Sequence, residues 1–143
     1  MSSGLTLKYE WSNDPNDDFG WLAVTVETDH LSGRGGFWVQ WQDVKEFGEE
    51  LSTYPILQGK AVTGAWGYEP WEGDSLVVSI EIAPADKRGN LLARVWLRDL
   101  DDGPPSTCIR TSFITNYPEL DAFRLSLADM MDRKAASAAL VGQ

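Results

Sequence analysis

Apolar and polar residues alternate over much of the first forty positions, which is the pattern of strands with one buried face. The alternation covers Leu5–Trp11, Leu22–Val26 and Phe37–Trp41. The polar stretch Ser12–Asp18 predicts a loop, and the glycine-rich stretch Ser32–Gly36 predicts a tight turn. Because the connections are short, we expect the three strands to pair in antiparallel fashion.

The apolar spacing then changes to that of a helix. Val44, Phe47 and Leu51 stand at positions i, i+3 and i+7, with charged residues between them. Asp43 is suited to the N-cap, and Glu46 follows it at the capping-box position. The sequence therefore predicts a first helix that begins at Asp43.

Strand patterns return after this helix, and a second helix follows them. The four further strands are expected at 60–67, 75–83, 91–100 and 107–115. Asn116 and Pro118 are typical of a helix start, and the apolar stripe of the second helix contains Leu120 and Phe123. The alanine-rich tail, 135–143, is expected to fray.

The order of three strands, a helix, four strands and a helix predicts an α+β fold. Strands in sequential runs favour one strongly twisted antiparallel sheet of about seven strands, with two helices packed against it. The chain has 143 residues, which is within the usual range for one domain. We therefore expect a single domain over 1–143.

Charge is the unusual global property of this chain. It has 22 acidic and 12 basic residues and a net charge of −10. Such a balance disfavours nucleic acid and anionic membranes as partners, since both are bound through basic residues. It either serves solubility or steers the domain towards a basic partner such as a nuclease. No apolar run is long enough to span a membrane, and no signal-peptide pattern precedes the first strand, so we expect a cytoplasmic protein.

Residues with catalytic or metal-binding chemistry are sparse. His30 and Cys108 are each the sole residue of their type, and no nucleophile, phosphate-loop or dinucleotide motif occurs. The stretch that begins at Asp14 starts like a calcium loop, but Phe19 and Thr25 occupy the positions that require Gly and Glu. We expect no catalytic residue, no metal and no cofactor, and hence a binding protein and not an enzyme.

Several tryptophans carry more information. If the apolar strand positions face the core, then Trp21, Trp38 and Trp96 face the other way together with Arg94 and Arg98. Tryptophan and arginine on an exposed face are typical of a protein-binding surface. The same rings would also suit a carbohydrate platform, or would be core residues if the second face were covered.

A second candidate lies at the end of the fourth predicted strand. Two tryptophans and three acidic residues fall within 64–74, which is typical of a recognition loop. These candidate partner-binding residues are Trp66, Glu69, Trp71, Glu72 and Asp74.

Several segments together resemble the WapI-like immunity proteins and a related group of small bacterial domains, over roughly residues 19–131. The segments that carry the resemblance are Trp21–Val26, Asp43–Leu51, Leu57–Ala61, Gly89–Val95 and Ser112–Leu120, followed by Phe123 and Leu127. One position departs from that pattern, because Asn116 stands where the family tends to have an acidic residue.

The resemblance implies a protein that binds and neutralises a cognate toxin, often a nuclease, inside the producing bacterial cell. It carries over no catalytic residues, because the implied activity is inhibition by binding. We therefore expect a non-catalytic protein-binding domain, with a carbohydrate-binding or structural domain as the alternatives. The sequence does not determine the oligomeric state.

Overall fold

The computed structural model describes residues 3–67, 76–99 and 107–143, and these form eight strands and two helices. The elements are β1 Gly4–Glu10, β2 Phe19–Glu27, β3 Ser32–Gln40, α1 Trp41–Glu50, β4 Val62–Gly67, β5 Leu76–Pro84, β6 Asn90–Arg98, β7 Cys108–Asn116, α2 Tyr117–Met131 and β8 Ala138–Val141. The predicted α+β class is confirmed. The described helices include none that is long and apolar enough to cross a membrane.

The strands form two antiparallel sheets, so the prediction of one seven-stranded sheet is wrong. Sheet A has the order β3-β2-β1-β8, and sheet B has the order β4-β5-β6-β7. The chain passes from sheet A to sheet B through α1. β3 lies at one edge of sheet A and β4 at one edge of sheet B, and the two strands do not pair with each other. Alternation tells which side chains are buried but not which strand edges meet, and for this reason the sequence did not distinguish one sheet from two.

The inner faces of the two sheets and the helices share one hydrophobic core. The two sheets approach each other where β3 is rich in glycine. A Cβ atom on Gly33 would lie 2.5 Å from Cδ1 of Ile109, and one on Gly35 would lie 3.5 Å from Cβ of Leu97. The stretch Ser32–Gly36 is therefore part of a strand that packs closely, and its interpretation as a tight turn is wrong.

The start of α1 also differs from the prediction. The helix begins at Trp41, and its N-cap is Gln40, which makes no capping bond through its side chain. Asp43 lies in the first turn instead, where a negative charge favours the helix dipole. A further carboxylate comes from the preceding loop, because Asp18 accepts hydrogen bonds from the Trp41 indole (3.4 Å) and from the Gln42 side chain (3.0 Å). A tertiary contact thus replaces the predicted capping box.

Helix α2 matches its sequence signals closely. Asn116 is the N-cap, and its Oδ1 accepts a 2.9 Å hydrogen bond from the Glu119 backbone N–H. The predicted apolar stripe is buried, and Phe123 at its centre has no exposed surface. The two helices approach at Gly48, where an added Cβ atom would lie 2.9 Å from Cδ2 of Leu127.

The C-terminal tail is ordered as a strand, so the prediction that 135–143 frays is wrong. β8 pairs with β1, and Leu140 is fully buried opposite Leu5. Beyond β8, the Gln143 N–H donates to the Ile114 carbonyl of β7 at 2.8 Å, and the Thr115 hydroxyl donates to the Val141 carbonyl at 2.8 Å. The tail therefore joins sheet A to sheet B on this side of the molecule.

Candidate functional site

A cleft opens on the opposite side, where the terminal strands β3 and β4 and helix α1 meet. Its volume is about 450 Å³. Its lining includes aromatic side chains and three carboxylates, and we call it the aromatic–acidic cleft. The residues that line it are Phe19, Phe37, Trp38, Val39, Gln40, Asp43, Glu46, Phe47, Glu50, Thr63, Gly64, Ala65, Trp66 and Gly67.

The two tryptophans of the cleft are held in different ways. Trp66 is half-buried and meets Phe47 edge to face, with ring centroids 5.9 Å apart. Gly64 makes room for it, since a Cβ atom there would lie 2.6 Å from Cη2 of Trp66. Trp38 is 57% exposed and meets Trp21 edge to face at 5.2 Å. The cleft thus combines Trp66, which is fixed by packing, with Trp38, whose exposed ring is available to contact a partner.

The three carboxylates of the cleft come from one face of α1. Asp43, Glu46 and Glu50 are spaced i, i+3 and i+7, so they follow one another along the helix surface. Lys45 and Glu49 lie on another face of α1, in a depression shared with α2. Within the described residues no Lys, Arg or His lines the cleft, and none of its three carboxylates forms an ion pair. The cleft therefore concentrates uncompensated negative charge beside aromatic surface.

The loop before β2 extends this negative surface. Its Asp18 is held at the start of α1 by the contacts described above, and Trp41 N–H also donates to the Asp18 carbonyl at 3.0 Å. Burial, together with the repulsion of the phenolate by Asp17, Asp18 and Asp43, raises the pKa of Tyr9 to about 12. Because one phenol senses all three carboxylates, the loop and the first turn of α1 belong to the same acidic region.

Among the described residues, Tyr9 and Asp86 have shifted pKa values, and both have structural roles. The Tyr9 hydroxyl donates to the Val39 carbonyl at 2.7 Å and so fixes β1 against β3. The Asp86 pKa is lowered by hydrogen bonds from the Asn90 side chain and the Arg88 backbone N–H, which together close the turn between β5 and β6. Such shifts are also found at catalytic sites, but both groups here support turns and strand packing.

The remaining predicted tryptophans do not share one surface. Trp21 touches Trp38 but lines a separate depression with Arg98 and Cys108. Trp96 lies on the outer face of sheet B, where its indole N–H donates to the Cys108 Sγ at 3.2 Å. The idea of a single face with Trp21, Trp38 and Trp96 is therefore wrong, because two sheets replace the one predicted. The rings of Trp21 and Trp38 are 75° apart, so these two do not form a flat platform either.

Four predicted site residues, Glu69, Trp71, Glu72 and Asp74, lie outside the described residues. They follow Trp66 and Gly67 in the chain, and both of these line the cleft. Their part in binding stays a prediction.

Comparison with known protein families, curated proteins and solved structures finds no match to this chain.

Two groups of residues were not predicted from the sequence to belong to a site. Asp43 and Glu46 were assigned to the capping box and Glu50 to the charged side of the helix, although the i, i+3, i+7 spacing of the three was visible. Arg110 contacts Trp96, with its Cζ 4.6 Å from the ring centroid. That contact depends on the register of β6 and β7, which pairs Trp96 with Arg110 and which no pattern in the sequence reveals.

The loop that begins at Asp14 was considered for metal binding from the sequence. In the part of the chain that the structure describes, no three His, Cys, Asp or Glu side chains are grouped so that they could hold a metal ion. In the loop that resembles a calcium site, Asp14 accepts a hydrogen bond from the Asn16 N–H at 2.9 Å and Asp17 accepts one from the Phe19 N–H at 3.0 Å. These carboxylates shape the loop.

Proposed function

We propose that this protein is a non-catalytic binding domain that recognises a basic protein through the aromatic–acidic cleft. The observation that carries the proposal is the meeting of Trp38 and Trp66 with Asp43, Glu46 and Glu50 in one cleft without a basic residue among those described. Tryptophan is among the side chains that most often dominate the binding energy of protein interfaces.

The two parts of the cleft suit two parts of a binding reaction. Carboxylates attract a basic surface over distances of about one Debye length, roughly 8–10 Å at moderate salt, and so increase the association rate. Trp38 offers an exposed ring that a partner can cover, and an arginine or lysine above such a ring gains cation–π attraction. We expect the carboxylates to control association and Trp38 to control dissociation.

The resemblance to WapI-like immunity proteins gives the proposal its more specific form. In that form the partner is a bacterial toxin with a basic surface, such as a nuclease, and the domain neutralises it in the cytoplasm of the producing cell. A large, repeat-rich toxin gene directly upstream would support this form. The absence of such a gene would contradict the assignment of the partner as a toxin, but it would not contradict the proposal that the cleft binds a basic protein.

The test compares two variants with equal charge. The cleft variant combines Asp43→Lys, Glu46→Lys and Glu50→Lys. The control variant combines Glu27→Lys, Asp29→Lys and Asp129→Lys, which change three exposed carboxylates outside the cleft lining. Wild-type protein is used to capture partners from a lysate of the source cell, and an identified partner is then studied by surface plasmon resonance at two salt concentrations.

We expect the cleft variant to lose about tenfold or more in association rate and most of its salt dependence, whereas the control keeps both within a small factor. Trp38→Ala should raise the dissociation rate about tenfold or more, because hot-spot residues contribute about 2 kcal/mol or more. A partner that binds the cleft variant as tightly as the wild type refutes the proposed site. An acidic partner would refute the proposed chemistry.

A further inference from the structure

The outer face of sheet B is positively charged, whereas the aromatic–acidic cleft is negatively charged. Its exposed surface carries Arg94, Trp96, Arg98 and Arg110, which we call the arginine face. The helices pack against one another and against β1, β3, β4, β7 and β8, and the Arg94 side chain is 59% exposed. Among the outward positions of the described strands β4–β7, Glu81 supplies the one carboxylate. A protein with a net charge of −10 thus presents a local surface with an excess of cations.

Neighbouring contacts hold two arginines of this face, Arg94 and Arg110, in place. Arg110 stacks over the Trp96 ring at 4.6 Å, and the Trp96 indole is itself anchored to Cys108. Arg94 Nη1 contacts Glu81 Oε1 at 3.1 Å, which leaves other N–H groups of its guanidinium for a further acceptor. A shallow concavity of about 470 Å³ extends between the two arginines and includes Ser79 and Ser112. The donors are therefore partly ordered before any ligand arrives, which lowers the entropic cost of binding.

From this arrangement we infer that the arginine face is a second interaction surface, which binds an acidic segment of a partner protein through its carboxylates. Arginine forms paired hydrogen bonds with carboxylates, and arginine with tryptophan is the favoured composition of interface hot spots. A short acidic segment needs only local cations, whereas a long polyanion such as nucleic acid also meets the repulsion of the whole molecule. The inference is independent of the proposed function, because the arginine face and the cleft share no residues.

The test uses a hexaglutamate peptide as the probe, with ¹⁵N-labelled protein observed by NMR. We expect the peptide to shift the backbone amides of Arg94–Trp96 and Arg110–Ser112 and the indole N–H of Trp96. The variant Arg94→Gln/Arg110→Gln should weaken the apparent affinity about fivefold to tenfold. The matched control Lys87→Gln/Arg88→Gln changes two exposed cations in the turn between β5 and β6 and should bind as the wild type does.

Glu81→Gln gives a result that a purely structural role for this face would not produce. Removal of its carboxylate frees Arg94 and should tighten hexaglutamate binding about twofold or more. The inference is overturned if the peptide causes no localised shifts, or if both double variants weaken binding equally. It is also overturned if a hexathymidylate oligonucleotide binds this face more tightly than the peptide does. Concentration-dependent shifts at this face without peptide would assign it to a second copy of the chain and would likewise overturn the inference.

Loss of the arginine face would leave the proposed function intact. The same two double variants are therefore passed through the assay with the basic partner. Unchanged association through the cleft, together with lost hexaglutamate binding, separates the two surfaces.

Discussion

The strand at the C-terminus offers the sharpest test of the fold. Leu140 of β8 is fully buried and pairs with Leu5, although its segment, 135–143, looked like a tail that would fray. The variant Leu140→Ala removes three buried carbon atoms. At about 0.8 kcal/mol for each buried methylene, the lost transfer energy is about 2.4 kcal/mol. The cavity left behind raises the expected loss of stability to about 3–4 kcal/mol.

Urea denaturation followed by far-UV circular dichroism measures this loss. With a slope of about 2 kcal/mol per molar urea, the unfolding midpoint should fall by about 1.5–2 M. Val141→Ala is the matched control, because Val141 is the next residue of the same strand and is 47% exposed. Its stability should change by less than about 1 kcal/mol. If Leu140→Ala unfolds at the same urea concentration as the control, then β8 is not docked against the core and the closure between the sheets described above does not exist.

Two further predictions concern the walls of the cleft and the residues behind it. Gly64→Ala would place a Cβ atom 2.6 Å from Trp66 Cη2 and 2.9 Å from Phe47 Cδ1. The substitution should therefore lower the free energy of unfolding by about 1–3 kcal/mol and weaken the near-UV circular dichroism of the tryptophans. An unchanged spectrum and an unchanged urea midpoint would contradict the packing of Trp66. Because the pKa of Tyr9 is raised to about 12, the folded state favours the neutral phenol. The resulting contribution to folding stability is complete below pH 10 and is lost as the pH rises from 10 to 12. Tyr9→Phe should therefore show a flatter decline of the urea midpoint over that range than the wild type, and identical slopes would count against the burial of this phenol.

The local elements could be predicted from the sequence because their signals are local. Alternation found β1 and β2, and the Asn116 cap with Pro118 found the start of α2. The arrangement of the sheets could not be predicted, because the pairing of strand edges depends on distant contacts. Gly33 and Gly35 illustrate the difficulty, since a pair of glycines suits a tight turn as well as the close approach of two sheets.

The candidate site could likewise be predicted in part from the sequence. Trp38 and Trp66 were singled out from the sequence, because exposed tryptophan is unusual enough to suggest function. The acidic residues of α1 were not, because a charged helix face is what any solvent-exposed helix shows. Their meaning appeared only when the fold placed Asp43, Glu46 and Glu50 beside the two rings.

The location of the cleft follows from the way the two sheets close. On one side, Gln143 and Thr115 connect β8 to β7, and α2 packs against both strands. On the other side, β3 and β4 end their sheets and are joined in sequence through α1, so the helix spans the gap between them. A helix in that position must bury Val44 and Phe47 in the core, which leaves its remaining faces for polar residues. Asp43, Glu46 and Glu50 therefore occupy the face of α1 that borders the cleft. The fold does not require that these carboxylates lack basic partners among the described residues, so this lack is a property of the sequence. Solubility alone would be served as well by carboxylates anywhere on the surface, so their placement beside Trp38 favours recognition of a cationic partner over a purely solvating role.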